Sequence, residues 1–453
     1  MVVSLRPISL SNAACPSAAP SRSANNGTRL RCTDNIASSR VELLVGVHSA
    51  PANRLSRAAI RSSWMQWESV GSDVLVCFLV GRYGLSKARA RSLEAEAAEH
   101  HDMLLLDVVD QVVLSLPKTF GWWMAASRML PPPHSSPMAG PRWVAKVDDD
   151  SFVHLPNLLA DLHSLHCHPR LYYGSFAFSG YDPNGLSKCG FSWQGAVNFD
   201  RLNCKSRGAQ PPMPFALGAV QVVAATLVRS LAKTPGLAEF VARANERRAE
   251  FSKKHDAAED IALGHWLARA QAAEAAGGTV GTVGTVGTVG TVGTVSTVGT
   301  VGGTVGGGDG GGDGSGGIEY VRTRANGVIN IDCFKRRGMY QVPSGETSVV
   351  VHHLKRPEGM GYLWRLLHDG AAHDADACLT ATVESGFRNA RIFACNATDR
   401  RCRSRLMGQR GAHGGARAGP RTVSCQFDRH RSGGGRADRD TPLRPHCCAC
   451  GFT

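Results

Sequence analysis

The segment Arg142-Trp143-Val144-Ala145-Lys146-Val147-Asp148-Asp149-Asp150 sets the reading of the chain around it. Trp143, Val144, Ala145 and Val147 make a short apolar run of the kind that forms a buried strand, and it stops on a row of carboxylates. Adjacent acids at a strand end repel one another, and a bound cation relieves that repulsion. In extended backbone, residues two apart point the same way, so Asp148 and Asp150 can reach one ion from one side. Hard oxygen ligands suit Mg²⁺ or Mn²⁺, ions that commonly hold substrate phosphates. Taken alone, the triplet also reads as an exposed acidic turn.

On the N-terminal side of this segment, apolar runs alternate with helical patterns. Val41–Val47, Val74–Val80 and Met103–Val109 read as buried strands. Between them lie a helix capped by Asn53 and running to about Trp67, one from about Ser86 to His100, and one over Lys118–Leu130. On the C-terminal side, Leu155–Leu165 predicts a helix and Leu171–Phe176 a strand. Ser179–Pro214 reads as a loop, stapled through Cys189 and Cys204, and Ala216–Ala232 as a small-residue turn entering an apolar helix. A charged helix at Glu239–His255 then delivers Glu259-Asp260-Ile261-Ala262-Leu263-Gly264. Strands alternating with helices predict an α/β fold, a mostly parallel central sheet flanked by helices on both faces. Ligands bind such sheets beyond the carboxyl ends of the strands, where His48-Ser49 and Asp148–Asp150 both fall.

Composition divides the chain of 453 residues further. Residues 1–40, rich in Ser, Ala, Arg and Asn, read as a disordered or transit-like leader, and 41–276 as the first part of the folded domain. The Gly-Thr-Val repeats of 277–317 have no large side chains to bury and predict a disordered insertion, with the domain resuming over 318–379. Residues 380–453 form a basic, Cys-rich tail, expected to be largely disordered. Most of the net charge of +14 sits there: Arg388 to Arg444 holds fourteen arginines against four aspartates. The excess is therefore a property of the tail, and no nucleic-acid partner is expected for the core. His446-Cys447-Cys448-Ala449-Cys450 lacks the second well-spaced ligand pair of a zinc site. Fourteen cysteines and the sequons at Asn26 and Asn396 point to an oxidising, lumenal compartment. No apolar run is long enough to span a bilayer.

Four separated pieces occur together and in order: Arg57-Ala58-Ala59-Ile60-Arg61-Ser62-Ser63-Trp64, Lys118-Thr119, Lys146–Asp150 and Glu259–Gly264. This set resembles the blocks of the β-1,3-glycosyltransferases of family 31. Tyr172-Tyr173-Gly174, Pro214–Gly218, the run from Glu259 to Ala268 and the late His352-His353 are most similar to the β-1,3-galactosyltransferase branch that builds the glycosaminoglycan linkage region. The resemblance covers about Val41 to Leu379 without the repeat insert. It implies a GT-A (Rossmann-like) fold, a UDP-sugar donor, a glycan or glycoprotein acceptor, Mn²⁺ (or Mg²⁺), inversion at the anomeric carbon, and residence in the Golgi lumen with membrane association.

Carried over position by position, the resemblance makes Asp260 the catalytic base with Glu259 beside it. Asp150 and Asp148 become metal ligands together with His353, His352 being the alternative. Ser49, Arg57, Arg61, Asp148 and Asp149 fall on the nucleotide-sugar side, while Lys118 and Lys146 read as structural. An N-acetylglucosaminyltransferase of the same family, or a catalytically silent sugar-nucleotide-binding protein, would share these motifs. The sequence departs from the family at Leu217-Gly218-Ala219-Val220-Gln221, where relatives carry more glycine and an aromatic residue, and the acceptor preference is open there.

Overall fold

A computed structural model describes residues 8–15, 30–34, 36–37, 39–110, 115–132, 140–182, 187–193, 204–206, 208–246, 259–275, 317–333 and 340–382. The described residues all belong to one compact unit. The repeat insert at 277–316 and the tail from 383 onward lie outside the described residues.

The alternation of apolar runs and helices produces a sheet whose core is parallel. From edge to edge it runs β1 (Ile8–Ser9), β10 (Glu319–Arg322), β7 (Leu171–Asp182), β9 (Gln210–Ala224), β5 (Trp143–Asp148), β2 (Leu43–His48), β3 (Val74–Tyr83) and β4 (Met103–Val109), with β8 (Ser187–Ser192) paired to β7. β5, β2, β3 and β4 are mutually parallel, as are β7, β10 and β1; β9 joins the two groups by running antiparallel to both β5 and β7. A smaller sheet runs β12 (Tyr340–Gln341), β11 (Val328–Ile331), β13 (Val350–His352) and β6 (Phe152–Val153).

Successive strand residues face opposite ways, and the two faces of the large sheet bury two cores. Leu43, Val45 and Val47 pack with Ile60, Trp64, Leu158 and Leu162 on one side. Leu44 and Val144 pack with Trp122, Trp123, Leu263 and Trp266 on the other. Gly46 is required by this second core: a Cβ there would lie 2.4 Å from Trp122, whose indole N–H donates to the Ala145 carbonyl (3.2 Å).

Three expectations are corrected. The stretch 179–214, expected as a loop, contains the end of β7, all of β8 and the start of β9, and the expected turn at 217–219 is a bulge inside β9. These strands carry Gly, Pro and polar residues because they pair antiparallel near the rim, where the long apolar runs of a buried parallel strand are not needed. The leader is ordered where it is described: β1 pairs with β10, and the disulfides Cys15–Cys167 and Cys32–Cys77 tie it to the domain, with Cys32 and Ile36 buried. Cross-links restrict the unfolded chain, so a segment pinned by them folds with few apolar side chains of its own.

One buried group makes stability depend on pH. His265, in the helix Glu259–Ala275, stacks on Tyr181 with ring centroids 4.6 Å apart, and burial, aided by Arg269, pushes its pKa down to about 3. The fold keeps the ring neutral, whereas the unfolded chain takes up a proton near pH 6.5. This contribution is complete above that pH and is lost as the pH falls towards 3, by about tenfold in the folding constant per pH unit. Denaturant midpoints measured from pH 7 to pH 4 are expected to fall, and to fall less steeply in His265→Phe.

Candidate active site

β5 buries its apolar run between β2 and β9 and releases its acids at the carboxyl edge, where Asp148 stands level with His48 of β2. Asp148 and Asp150 face one side. Asp149 turns the other way and accepts from Asn53 Nδ2 (2.9 Å), which ties it to the loop that follows β2. Burial raises Asp149, with Ser49 and Asn53 opposing.

The smaller sheet brings a third candidate ligand from a distant part of the chain. β13 pairs antiparallel with β6, Val350 opposite Val153 and Val351 opposite Phe152, which carries the next residue, His352, alongside Asp150. The Leu354 N–H donating to the Asp150 carbonyl (3.0 Å) closes the junction. His352 Nε2 lies 3.0 Å from Asp150 Oδ1 and 3.7 Å from Asp148 Oδ2, and the ligand atoms of the three residues all fall within 4.8 Å of one another. The side-chain oxygen of buried Asn330 stands 3.3 Å from His352 Nδ1; with the ring proton on that nitrogen, Nε2 would be free to face an ion held by the acids. Two carboxylates and an imidazole nitrogen converging in this way could hold a divalent cation, and the mixed oxygen and nitrogen set fits Mn²⁺. Burial alone would raise Asp150, but His352 and the ammonium of Lys355, paired with Asp150 Oδ2, outweigh it and hold the carboxyl well below the usual range.

His353, the residue expected in this role, is not part of the group. Its φ of 70° turns the chain at the end of β13, and burial together with its neighbours His352 and Lys355 lowers its pKa to about 4. The group of ligand atoms that converge contains His352 and leaves out His353, whose ring stands edge to face against that of His352 with centroids 4.2 Å apart.

Glu259 and Asp260 open the helix Glu259–Ala275, where carboxylates suit the positive end of the helix dipole. They lie across the same cleft from Asp148, joined through Lys146. This lysine, fully buried on β5, places Nζ 2.8 Å from Asp148 Oδ1, 3.3 Å from Asp260 Oδ1 and 3.4 Å from Glu259 Oε1. Gly218, in the β9 bulge, lets the carboxylates approach: a Cβ there would lie 2.8 Å from Asp148 Oδ2 and 2.9 Å from Asp260 Oδ1. Gln221 adds a donor 3.4 Å from Asp260 Oδ1. Burial raises Glu259 to about 7 and raises Asp260 as well, against the pull of Lys146. Lys146 itself, which burial would lower, is held protonated by Asp148, Asp260 and Glu259. Its position two residues before Asp148, on the same side of the strand, was the available signal for its placement.

Arg57 and Arg61 are turned away from this cleft. Arg57 is fully buried and donates to both oxygens of Glu96 (2.9 and 2.7 Å), to Ser49 Oγ (3.0 Å) and to the Ala50 carbonyl (2.6 Å). Arg61, one turn further along a helix that runs back towards the amino ends of the strands, pairs with Asp102 and Glu96. The resemblance had set both on the nucleotide side. Their donors are instead consumed within the protein, and Arg57 reaches the cleft only by holding Ser49 and its loop. Lys118 does likewise, donating to the Ser49 carbonyl (2.9 Å) and Asp110 (2.7 Å). His48 Nε2 and Gln221 Oε1 are buried without a hydrogen-bond partner among the described residues, as in a cleft shaped for a polar ligand.

A profile of the galactosyltransferase family matches residues 55–242. Beta-1,3-galactosyltransferase 6 of Mus musculus is 30% identical over 264 residues, covering 56% of this chain and 67% of the mouse protein. A lactosylceramide 1,3-N-acetyl-beta-D-glucosaminyltransferase of Danio rerio is 32% identical over 136 residues, 28% of this chain and 33% of that protein. A solved galactosyltransferase, LgtC with donor and acceptor sugar analogues, superposes only loosely (TM-score 0.26, 11% identity, 49% of this chain and 70% of that one). The sheet flanked by helices is a GT-A, Rossmann-like fold, and the protein is a glycosyltransferase. The chain belongs to the β-1,3-galactosyltransferase family, glycosyltransferase family 31.

Proposed function

We propose that the protein transfers a hexose, galactose from UDP-galactose, onto a glycan or glycoprotein acceptor in β-1,3 linkage with inversion. The observation that carries this reading is that Asp148, Asp150 and His352 converge on one side of Lys146, which also reaches Glu259 and Asp260. A divalent cation held by Asp148, Asp150 and His352, Mn²⁺ by the chemistry of that donor set, would supply Lewis-acid neutralisation of the charge that grows on the leaving diphosphate. Asp260 takes the proton of the acceptor hydroxyl as its oxygen bonds to the anomeric carbon and the bond to the diphosphate breaks on the opposite face. Lys146 fixes the distance between Asp260 and Asp148, and Glu259 shares the lysine from the base side. Arg57 and Lys118 position the Ser49 loop. Four disulfides among the described residues support a lumenal, oxidising compartment, in keeping with the Golgi, and no described helix is long and apolar enough to cross a membrane.

The zebrafish relative favours UDP-N-acetylglucosamine as the alternative donor. Purified protein incubated with Mn²⁺ and each UDP-sugar in turn separates the two, and failure to turn over any of them would overturn the proposal in favour of a silent sugar-nucleotide-binding protein. The ligand set has its own test. His352→Ala is expected to weaken Mn²⁺ binding, measured by calorimetry, at least about tenfold, and His353→Ala to change it far less. The reverse order would return the role to His353.

A further inference from the structure

Among the exposed large hydrophobic side chains of the described residues, two stand next to each other: Phe191, near the end of β8, is 45% exposed, and Trp193, just beyond it, 42%. They are held in place. Their rings meet edge to face with centroids 5.1 Å apart, Phe191 also packs at 6.4 Å against Phe215 of β9, and Arg322 Nη2 donates to the Trp193 carbonyl (3.2 Å). The Cys189–Cys204 disulfide anchors the strand that carries them. An ordered aromatic pair left in water on a rigid edge is a feature of surfaces that bind something.

Sheet register relates the pair to the reacting groups. Because β9 is antiparallel to β5, its first half extends past the carboxyl end of β5, together with the parts of β7 and β8 paired alongside it. Phe215, in contact with Phe191, abuts Gly264, about one turn along the helix that begins with Glu259 and Asp260. Ser192 pairs with Phe178, whereas Gly218 lies in the bulge opposite Gly174–Phe176. A few residues along and two strands across place the aromatic pair on the order of 10 Å from Gly218, which touches Asp260. That is the span of a short oligosaccharide and more than that of a single pyranose ring.

We propose that Phe191 and Trp193 form a stacking platform for a pyranose ring of the acceptor, one remote from the reacting hydroxyl, so that the preferred acceptor is an oligosaccharide. This inference rests on the transferase reading above. The face of a β-linked pyranose presents C–H groups of partial positive charge, which match the negative face of an aromatic ring, while its hydroxyls stay in water. Half-exposed rings suit a ligand of that kind, wetted on one side.

The test uses the full chain with Mn²⁺ and a glycan array of mono- to tetrasaccharides, reading both glycan binding in the presence of UDP and sugar transfer. Wild type is expected to prefer the longer glycans. Phe191→Ala and Trp193→Ala are expected to lose at least tenfold in affinity and in kcat/KM on those glycans, through KM, and to match wild type on monosaccharides and in donor hydrolysis. Trp193→Tyr should restore most of the loss. Equal behaviour of wild type and variants on long glycans, absence of a length preference in wild type, or absence of glycan binding overturns the platform. Retained binding and length preference without transfer of any sugar would overturn the transferase reading alone.

Discussion

Asp260→Asn is expected to lower kcat by about 10²- to 10⁴-fold, the usual worth of a general base, while UDP and Mn²⁺ affinities stay close to wild type. The substitution keeps the shape of the side chain and removes its capacity to take a proton. Steady-state rates and calorimetry on the same preparation check both halves. The pH profile gives a further readout: burial raises both Glu259 and Asp260, Glu259 to about 7, and the base works only when ionised. Wild-type kcat/KM is therefore expected to rise as the pH passes above the usual carboxylate range and the base ionises, and the residual rate of Asp260→Asn to lack the part of that rise that belongs to Asp260. Unchanged turnover in the variant would remove Asp260 from the mechanism, and a larger loss in Glu259→Gln would exchange the two roles.

Lys146→Met is expected to destabilise the fold by about 3–5 kcal/mol, because deleting a fully buried cation leaves Asp148, Glu259 and Asp260 facing one another without compensation. The loss should shrink at lower pH. Without the ammonium the carboxyls protonate more readily, and protonation removes their mutual repulsion. Denaturant unfolding of variant and wild type side by side at pH 8 and pH 5 measures the difference and cancels the titration of His265. A variant within about 1 kcal/mol of wild type at pH 8 would mean that the lysine does not hold the cleft together.

Much of this arrangement is legible in the chain, for reasons that can be named. Asp148 and Asp150 announce themselves because carboxylates ending an apolar strand are costly without a partner, and the period of two puts them on one side. The parallel core is legible because buried strands need unbroken apolar runs. Arg57 and Arg61 mislead, since a motif marks that a residue matters and not which way it faces. Their acid partners, Glu96 and Asp102, lie about forty positions later with nothing local to join them. His352 and His353 could not be told apart without knowing that β13 pairs with β6, β8 carries no apolar run to reveal it, and the apolar run of β9 reads equally well as the start of a helix.

The amino-acid sequence by itself determined which residue types are available and which local structure carries them: an acidic strand end, an acidic helix start, a late histidine pair and an even alternation of elements. Tertiary structure decided which of them meet. Lys146 joins acids over a hundred positions apart, His352 reaches Asp150 across a second sheet, and Arg57 spends its donors inside the protein. The physical reason is range. Periodicity and charge act over a few residues, whereas strand order, register and the β9 bulge at Gly218 arise only when distant segments pair and bury their faces together.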